Sequence, residues 1–355
     1  MGTTYRKDVL DRLRADGMDL SWLDAPTEKG VRAQPGRRGL TLDEINVGSY
    51  GQIPDVTDNR GNRPRGAAPR PGTGRSLNKW DEKAAVWAEN VAMLYEEAVQ
   101  RQWSSARDIP WTELTELPDD LELAMCQLCT FLNQVEFIAG DLPGRWIQHI
   151  SPDFYEVALF LGTQLVDEAR HLDVFRKRAL ANGGGLLQAG PGAVGLLPVS
   201  DFTEMTATLH LVGEGFVQSM FRMGELIAQN EAEKRIFRLA AQDESRHVAF
   251  GVTHMKYLVE TQPERREEIH AFLDRQEGVL GGANAQSALT GGGDTAEALA
   301  ILLGRGKQNI DEGYKLLMAV RKRQVNEYMH RLEVVGLGDR RERMAPGMRV
   351  MLDAG

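Results

Sequence analysis

Hydrophobic residues recur at the three- and four-residue spacing of amphipathic α-helices along most of the chain after residue 76. This spacing, with a shorter stretch near the N-terminus, predicts helices over residues 5–15, 78–103, 118–149, 153–182, 202–229, 232–261, 264–277 and 308–335. Pro143 is expected to disturb the third of these, because proline disrupts a helix interior. No segment alternates convincingly with the two-residue period of a strand, so we predict an all-α fold.

Residues 1–76 differ from the rest because glycine, proline and arginine are dense there. We predict an extended or flexible N-terminal arm that wraps the helices, wraps a second subunit or is disordered. The helical domain is predicted to occupy residues 77–340, and a polar tail residues 341–355. Glycine-rich stretches at 182–200 and 278–294 predict loops, and the first of them fits the long crossover connection of a helical bundle.

A short motif, D-E-x-R-H, occurs twice, 76 residues apart. In each copy a glutamate and a histidine stand three residues apart, Glu168 with His171 and Glu244 with His247. Residues at this spacing share one face of an α-helix. The carboxylate and the imidazole of each copy therefore point in the same direction and are predicted to bind a metal ion. One such pair is common by chance, whereas two matched copies are specific.

A further glutamate precedes each motif within an apolar segment. Glu136 lies 32 residues before Glu168, and Glu214 lies 30 residues before Glu244. These offsets suit antiparallel helix pairs that carry their ligands near mid-helix. An unpaired carboxylate in such surroundings is costly to bury, and a metal ion removes that cost. The chain thus offers four carboxylates and two histidines to a pair of metal ions, and the nearest competing glutamates stand at less suitable offsets.

Each motif begins with an aspartate. A metal-bound histidine usually donates its other ring N–H to a carboxylate or carbonyl oxygen, which orients the ring. We hypothesise that each aspartate serves the histidine of the opposite motif, Asp167 with His247 and Asp243 with His171. The alternative is a surface charge that pairs with a motif arginine.

His210 and the two cysteines leave alternatives open. His210 lies four residues before Glu214 on the same helix face, so it is a seventh ligand, a hydrogen-bond donor to the ligands or a core residue. Cys126 and Cys129 form a lone C-x-x-C without the second pair of a zinc knuckle. Buried free thiols are the leading interpretation, and a redox role at the metal centre is the alternative.

These residues resemble the ligand set of the ferritin-like di-iron carboxylate superfamily over about residues 115–260. The matching positions are Glu136, Glu168, His171, Glu214, Glu244 and His247. The resemblance implies a four-helix bundle, here with flanking helices and the N-terminal arm added. Within the superfamily the chain is similar to the oxygen-activating branch, which includes monooxygenase hydroxylases, N-oxygenases and ribonucleotide reductase small subunits.

Three positions depart from those families. Phe175 stands where radical-storing ribonucleotide reductase subunits carry a tyrosine, one turn after the first ligand histidine. Gln218 replaces the threonine that multicomponent monooxygenases carry one turn after the third-helix glutamate. Ala240 replaces an additional histidine of the arylamine N-oxygenases. The resemblance therefore leaves the reaction type open.

Composition narrows the classes of function. The chain has 355 residues, 42% of them hydrophobic, and a net charge of −9, which is typical of a globular protein with a large core. No basic stripe stands out, which argues against a nucleic-acid partner. No run of 18 apolar residues predicts a membrane span, and the N-terminus lacks the apolar core of a signal peptide. We therefore expect a cytoplasmic protein.

We expect an oxygen-dependent, non-haem di-iron oxygenase or oxidase of the monooxygenase type. It would act on a small organic substrate by hydroxylation, N-oxygenation or desaturation, with the six ligands as catalytic residues. Two Fe ions suit these ligands, a Mn/Fe pair is the alternative, and O₂ is the co-substrate. The resemblance implies an external electron donor, a reductase or a ferredoxin, and a homodimer. The alternatives are a ribonucleotide-reductase-like small subunit and a ferritin-like iron-binding or ferroxidase protein, which needs fewer helices.

Small residues about one turn from the ligands predict an open substrate pocket. They are Ala139, Gly140, Ala240, Ala241 and Gly251. The expected apolar walls are Leu165, Leu172, Phe175, Val217 and Phe221. The alternative is that the small residues only permit close helix packing.

Overall fold

A computed structural model describes residues 7–25, 28, 30–190, 198–280 and 293–352. Its α-helices are α1 (Lys7–Ala15), α2 (Leu42–Ile45), α3 (Val91–Gln100), α4 (Asp119–Gly144), α5 (Tyr155–Ala181), α6 (Phe202–Thr206), α7 (Glu214–Arg222), α8 (Gly224–Ile227), α9 (Glu231–Thr261), α10 (Arg266–Leu280), α11 (Gly293–Gly304), α12 (Ile310–Val335), α13 (Arg340–Arg343) and α14 (Pro346–Arg349). A π-helical turn, Ala207–Gly213, joins α6 to α7. Short 3-10 turns occupy Ser21–Asp24, Gly48–Gly51, Lys83–Ala85, Trp111–Glu113, Ile147–His149, Pro152–Phe154, Pro263–Arg265 and Lys307–Asn309.

The all-α prediction is confirmed. In the described ranges the extended backbone pairs only through isolated bridges, without a β-strand. No helix in these ranges is both long enough and apolar enough to cross a membrane.

Helices α4 and α5 form the first antiparallel pair of the bundle. Arg178, near the end of α5, donates hydrogen bonds at 2.8 Å to Glu122, near the start of α4. At the other end of the pair Gly144 lies beside Leu165. Helix α4 ends at Gly144, one residue after Pro143, where the sequence predicts a disturbance.

Helices α7 and α9 form the second antiparallel pair. Gln218 of α7 donates to Ser245 of α9 at 3.0 Å, and His210 lies against Gly251 further along α9. The single helix predicted over 202–229 is therefore replaced by α6, the π-helical turn, α7 and α8. A π-helical turn carries one more residue than an α-helical turn, and this one ends immediately before Glu214.

The apolar helix faces bury three hydrophobic clusters. The first includes Met125, Leu128, Phe175, Phe221 and Phe237; the second includes Trp87, Phe154, Phe160, Phe202 and Phe250; the third includes Leu258, Phe272, Tyr328 and Leu332. Full burial of one such side chain stabilises the folded state by about 1.5–3 kcal/mol. Ring contacts place His171 beside Phe221 of the first cluster and His247 beside Phe160 of the second. A polar centre therefore lies between two apolar regions.

The described part of the N-terminal arm is anchored on the start of α5. Arg65 donates to both carboxylate oxygens of Glu156, and both side chains are buried. Thr57 forms a second buried hydrogen bond to Asp153. These contacts correspond to the alternative in which the arm wraps the helices.

One further helix prediction is wrong, and one helix was not predicted. The helix predicted over 78–103 is only α3, because the backbone before it pairs with the arm instead: Thr57 N donates to Asp81 O, and Lys83 N donates to Asp55 O, each at 2.8 Å. Helix α11 was not predicted, and the loop predicted over 278–294 overlaps the end of α10 and the start of α11. Residues 281–292 of that loop, and 191–197 of the loop over 182–200, lie outside the described residues. In the predicted tail, Met344 and Met348 are buried in the third cluster.

Candidate metal centre

All six predicted ligands meet at the centre of the bundle. Each is at most 2% exposed. The helices contribute them as the sequence spacing predicts, Glu136 from α4, Glu168 and His171 from α5, Glu214 from α7, and Glu244 and His247 from α9. Burial of so many ionisable side chains in one place requires compensation by partners or bound ions.

The ligand atoms form two groups, each with one histidine and three glutamates. All atoms of a group lie within 4.8 Å of one another: Glu136, Glu168, His171 and Glu244 in one group, and Glu168, Glu214, Glu244 and His247 in the other. Glu168 and Glu244 belong to both groups. His171 Nδ1 lies 3.4 Å from Glu168 and 3.2 Å from Glu244, while His247 Nδ1 lies 3.1 and 3.0 Å from the same two carboxylates. Two shared carboxylates between two imidazoles fit a bridged pair of metal ions.

The charges of the centre favour divalent cations. Burial raises the pKa of Glu136, and burial together with the charge of Glu244 raises the pKa of Glu214. Although burial opposes it, hydrogen bonds with the surrounding carboxylates raise the pKa of His171, and the charge of Glu168 together with hydrogen bonds with carboxylates raises that of His247. Binding of metal ions by these groups would release protons. Four carboxylates and two neutral imidazoles balance the charge of two divalent ions.

A buried ring of charges joins the two motifs behind the histidines. His171 Nε2 lies 3.2 Å from Asp243, and His247 Nε2 lies 3.4 Å from Asp167. Each contact crosses from one motif to the other, which is the geometry that the sequence hypothesis requires. Both aspartates are 1% exposed, so neither is the surface charge of the alternative. With Nε2 directed at an aspartate, each histidine turns Nδ1 toward the shared carboxylates.

The two motif arginines complete this ring. Arg170 donates to Asp167 and, at 3.0 Å, to Asp243; Arg246 donates to Asp167 at 2.8 Å and to Asp243 at 2.5 Å. Although burial opposes it, the hydrogen bond with His171 and the charges of both arginines hold the pKa of Asp243 below its usual range. The ring thus keeps Asp243 ionised and cross-links α5 to α9.

Trp103 also contacts this ring of charges, and sequence reasoning missed it. Its Nε1 donates to Asp243 at 2.7 Å, and its ring lies 4.8 Å from the Arg170 guanidinium. Trp103 follows α3 by three residues, and only the folded chain brings it to the motifs. No local signal in the sequence indicates this contact.

Gln164 was also missed, although the sequence carries a signal for it. It stands one turn before Glu168 on the same face of α5. Its amide nitrogen lies 3.4 Å from Glu168 and 3.3 Å from Glu214, so it donates toward one ligand from each helix pair. Its amide oxygen accepts from His210 Nε2 at 3.0 Å.

His210 belongs to neither group of metal-binding atoms among the described residues. It is fully buried, and burial lowers its pKa to about 3, so it stays neutral at ordinary pH. Its hydrogen bond goes to Gln164 and not to a predicted ligand, so His210 corresponds to the alternative of a buried, hydrogen-bonded core residue.

An open cavity of about 660 Å³ lies beside the centre. Glu136 and Glu168 reach its wall, and its other lining residues are Phe137, Gly140, Asp141, Gly144, Arg145, Leu165, Ala169 and Leu172. This volume is within the usual range of small-molecule sites. Three of the ten residues predicted to line a pocket, Gly140, Leu165 and Leu172, line this cavity.

The remaining residues predicted to line the pocket lie elsewhere. Phe175, Phe221, Ala240 and Ala241 are buried in the first hydrophobic cluster, Val217 packs against it, and Ala139 is in the second. Gly251 serves close packing, since a Cβ at this position would overlap His210. The sequence prediction did not distinguish the helix faces near the predicted ligands. Helix packing fills seven of the ten positions and leaves Gly140, Leu165 and Leu172 at the cavity.

The cysteines are buried free thiols. Burial, and then the negative charge of Glu122, raises the pKa of Cys126 to about 12, and burial raises that of Cys129 as well. Both therefore remain protonated and poorly nucleophilic, which favours the packing interpretation.

Comparisons with known proteins show a distant likeness. No protein-family model matches the chain, and no curated protein matches it. One similar solved structure is an R2-like ligand-binding oxidase with aerobically reconstituted metal cofactor after photoconversion, at 18% identity and a TM-score of 0.47 over 71% of this chain and 95% of that one. Another is the R2-like ligand-binding oxidase with an aerobically reconstituted Mn/Fe cofactor, at 18% identity and a TM-score of 0.46 over 70% and 93%.

At this distance the site has to be judged on the geometry of the chain itself. A bundle in which two helices each supply one glutamate, and two others each supply a Glu-x-x-His pair, is the arrangement of ferritin-like dinuclear carboxylate proteins. The predicted resemblance to that superfamily is therefore confirmed. The predominance of carboxylate ligands differs from the sulfur- and nitrogen-rich sets of structural zinc sites.

Proposed function

We propose that the chain is an oxygen-dependent, non-haem di-metal oxidase or monooxygenase that acts on a small organic molecule. The observation that carries this proposal is the cavity of about 660 Å³ whose wall includes two of the predicted metal ligands, Glu136 and Glu168. A substrate in this cavity would lie against the metal pair without crossing the protein core.

The predicted ligands would divide the work of holding two ions. Glu168 and Glu244, which belong to both groups, would help to hold both ions, while His171 with Glu136 and His247 with Glu214 would each help to hold one. Iron in both sites is our first choice, with a Mn/Fe pair as the alternative, because carboxylate and imidazole ligands suit both metals. Two such ions together supply the electrons that O₂ activation requires.

The protein around the ions would orient the ligands and limit access by water. Asp167 and Asp243 would fix the histidine rings through Nε2–H. Gln164, which accepts a hydrogen bond from the buried His210, would restrain Glu214 and Glu168. The apolar side chains of Leu165 and Leu172 would exclude water from the substrate.

Turnover would need an external electron donor, a reductase or a ferredoxin, to reduce the metal pair again. A homodimer and a cytoplasmic location remain predictions from the sequence. The cavity favours an organic substrate over simple iron oxidation, which requires no such space. Phe175 supplies no phenol for radical storage one turn after His171, which weighs against the ribonucleotide-reductase-like alternative.

The direct test is anaerobic loading of the full chain with ferrous iron, followed by oxygen-electrode measurements with a panel of small organic compounds. We expect two irons per chain and O₂ consumption that at least one compound accelerates, with a stoichiometric oxidised product. The Glu168→Ala variant is the matched control for metal-independent O₂ uptake.

The other outcomes separate the alternatives. Oxygen uptake that follows added iron and ignores every organic compound would support a ferroxidase. Absence of stoichiometric iron or manganese binding would refute the metal centre itself.

A further inference from the structure

A second groove adjoins the cavity beside the metal centre, on the same side of the α4–α5 pair. It encloses about 560 Å³. Its lining residues are Thr130, Asn133, Gln134, Phe137, Ile138, Asp141, Arg176, Leu186, Leu187 and Ala189. Phe137 and Asp141 also line the cavity, so the two spaces meet at these residues. A molecule in the cavity can therefore extend past Phe137 into the groove.

The outer wall of the groove belongs to the loop that follows α5, and α4 holds this wall in place. Gln127 donates to the backbone oxygen of Gln188 at 2.7 Å and accepts from its backbone N–H at 3.2 Å. Thr130, about one turn further along α4, accepts from the backbone N–H of Leu187 at 2.9 Å. These hydrogen bonds fix the backbone of the wall, so the groove exists before any ligand binds.

The middle of the groove is apolar and exposed. Phe137 is 64% exposed, and Leu186 and Leu187 are each 37% exposed. Large apolar side chains that surround a groove mark a site where an apolar ligand gains free energy by removing their surface from water. The groove therefore suits a hydrocarbon segment.

One cation, Arg176, stands among the groove-lining residues, at the end away from the metal centre. It follows Glu168 by eight residues on α5, which places it about 12 Å further along the helix axis. Its side chain is exposed and forms no hydrogen bond or ion pair within the described part of the chain. A guanidinium in this state offers parallel N–H donors to a carboxylate or phosphate group.

We propose that the groove and the cavity together bind an elongated substrate that has an oxyanion, a carboxylate or phosphate group, at one end and a hydrocarbon body. Arg176 binds the oxyanion, and Phe137 and Leu187 cover the body. The opposite end lies in the cavity, against Glu136 and Glu168. The part of the substrate that meets the metal pair is thus the end remote from its charge. This inference rests on the proposed function, because it assigns a substrate class to the same site.

The test is calorimetric titration of the metal-loaded full chain with linear carboxylates from acetate to dodecanoate, and with the primary alcohols of the same lengths. We expect saturable one-to-one binding of the longer carboxylates. Their affinity should rise with chain length and should exceed that of the matching alcohols. An affinity that does not depend on length, or that is equal for acid and alcohol, would overturn the proposal.

Two charge variants locate the carboxylate. In Arg176→Gln the affinity for dodecanoate should fall by about three- to tenfold, because an exposed charge-assisted contact is lost, while the affinity for the alcohol stays the same. Lys177→Gln is the matched control, since Lys177 is the next residue of α5 but pairs with Asp173 at 2.6 Å and does not line the groove. Unchanged dodecanoate affinity in Arg176→Gln would place the carboxylate at the metal ions and would refute the proposal.

Two leucine variants locate the hydrocarbon body. Leu187→Glu places a negative charge in the apolar wall, so dodecanoate binding should be lost. Leu180 is an exposed leucine of α5 outside the groove, and Leu180→Glu should bind dodecanoate like the wild type. Both variants should melt near the wild-type temperature, because both side chains already contact water. Equal dodecanoate affinity in the two variants would contradict the assignment of the groove.

Oxygen-electrode measurements with the same compounds separate this inference from the proposed function. Binding that depends on length and charge, without faster O₂ consumption by any compound, would support the groove as a ligand site and contradict the oxidase. Oxygen consumption that short neutral compounds and long carboxylates accelerate equally would support the oxidase and overturn the role of the groove.

Discussion

The two helix pairs supply nearly the same ligands but surround them differently. In the α4–α5 pair, Glu136 comes from an uninterrupted α-helix and borders an open cavity together with Glu168. In the α7–α9 pair, Glu214 follows a π-helical turn, and the side chains of Gln164 and His210 lie beside it. The two helix pairs therefore repeat the same types of predicted ligand, but the open cavity borders only those of the α4–α5 pair. Under the proposed function, a substrate would approach from the α4–α5 side, and the side chains on the α7–α9 side would restrain the predicted ligands.

The largest expected effect is on metal binding, and it distinguishes a glutamate that belongs to both groups of ligand atoms from glutamates that belong to one group. Glu168→Ala should abolish stoichiometric metal binding, because this carboxylate belongs to both groups of ligand atoms. Glu136→Ala and Glu214→Ala should each retain about one ion per chain, since each removes a ligand of one group only. Elemental analysis after dialysis measures the stoichiometry. Two ions per chain in Glu168→Ala would refute the shared role.

The next prediction tests whether the aspartate of each motif supports metal binding by the histidine of the other motif. Asp243→Asn should weaken metal binding at the His171 site by about 10–100-fold, the usual range for partners of metal-bound histidines. Asp167→Asn should do the same at the His247 site. Competition with a chelator measures both affinities. Unchanged affinity in both variants would mean that the aspartates serve only to pair with the arginines.

Equivalent positions in the two motifs test the one-sided access directly. Ala169 and Ser245 occupy the variable position of D-E-x-R-H, and both are exposed, but only Ala169 lines the cavity. Ala169→Phe should raise the KM for the organic substrate by about tenfold or more, equivalent to about 1.4 kcal/mol of lost binding, while metal content stays unchanged. Ser245→Phe should leave KM near the wild-type value. A similar KM change in both variants would contradict access from one side.

The smallest expected effect compares two glycines that face the ligand helices. A Cβ at Gly140 would make an ordinary contact, 3.7 Å from Glu168 Cβ, whereas one at Gly251 would overlap His210. Gly140→Ala should therefore be neutral or stabilise the protein by up to about 1 kcal/mol through helix propensity. Gly251→Ala should destabilise it by about 1–3 kcal/mol despite the same gain in propensity. Urea denaturation of the two variants measures the difference, and equal stabilities would show that the π-helical side is not closely packed.

The sequence predicted the six residues that meet because their spacing is a local property of helices. An i, i+3 pair fixes a shared face, and an offset of about 30 residues fixes an antiparallel neighbour. The partnership of each aspartate with the opposite histidine followed from the duplicated motif. Trp103 escaped prediction because only tertiary packing brings it to Asp243.

The errors in the fold have similar causes. The hydrophobic pattern over 78–90 looks helical, but the backbone at Asp81 and Lys83 forms hydrogen bonds with the N-terminal arm, whose position no periodicity reveals. The π-helical turn before Glu214 has the same hydrophobic spacing as the α-helix around it, so the sequence could not distinguish the two. The location of the cavity could not be predicted, because it depends on which small residues are covered by a neighbouring helix. Gly251 is covered by His210, whereas Gly140 lines the cavity.

The exchange of partners between the motifs has a consequence for how such a chain could arise. The first group of ligands takes Glu136, Glu168 and His171 from one helix pair, but it needs Glu244 from the other, and His171 takes its aspartate from there as well. One helix pair alone is therefore half of a metal site. Two identical copies of that half would complete each other by self-association, before any fusion into one chain. The one-sided cavity would then be the later feature, since two identical halves could not have differed in access.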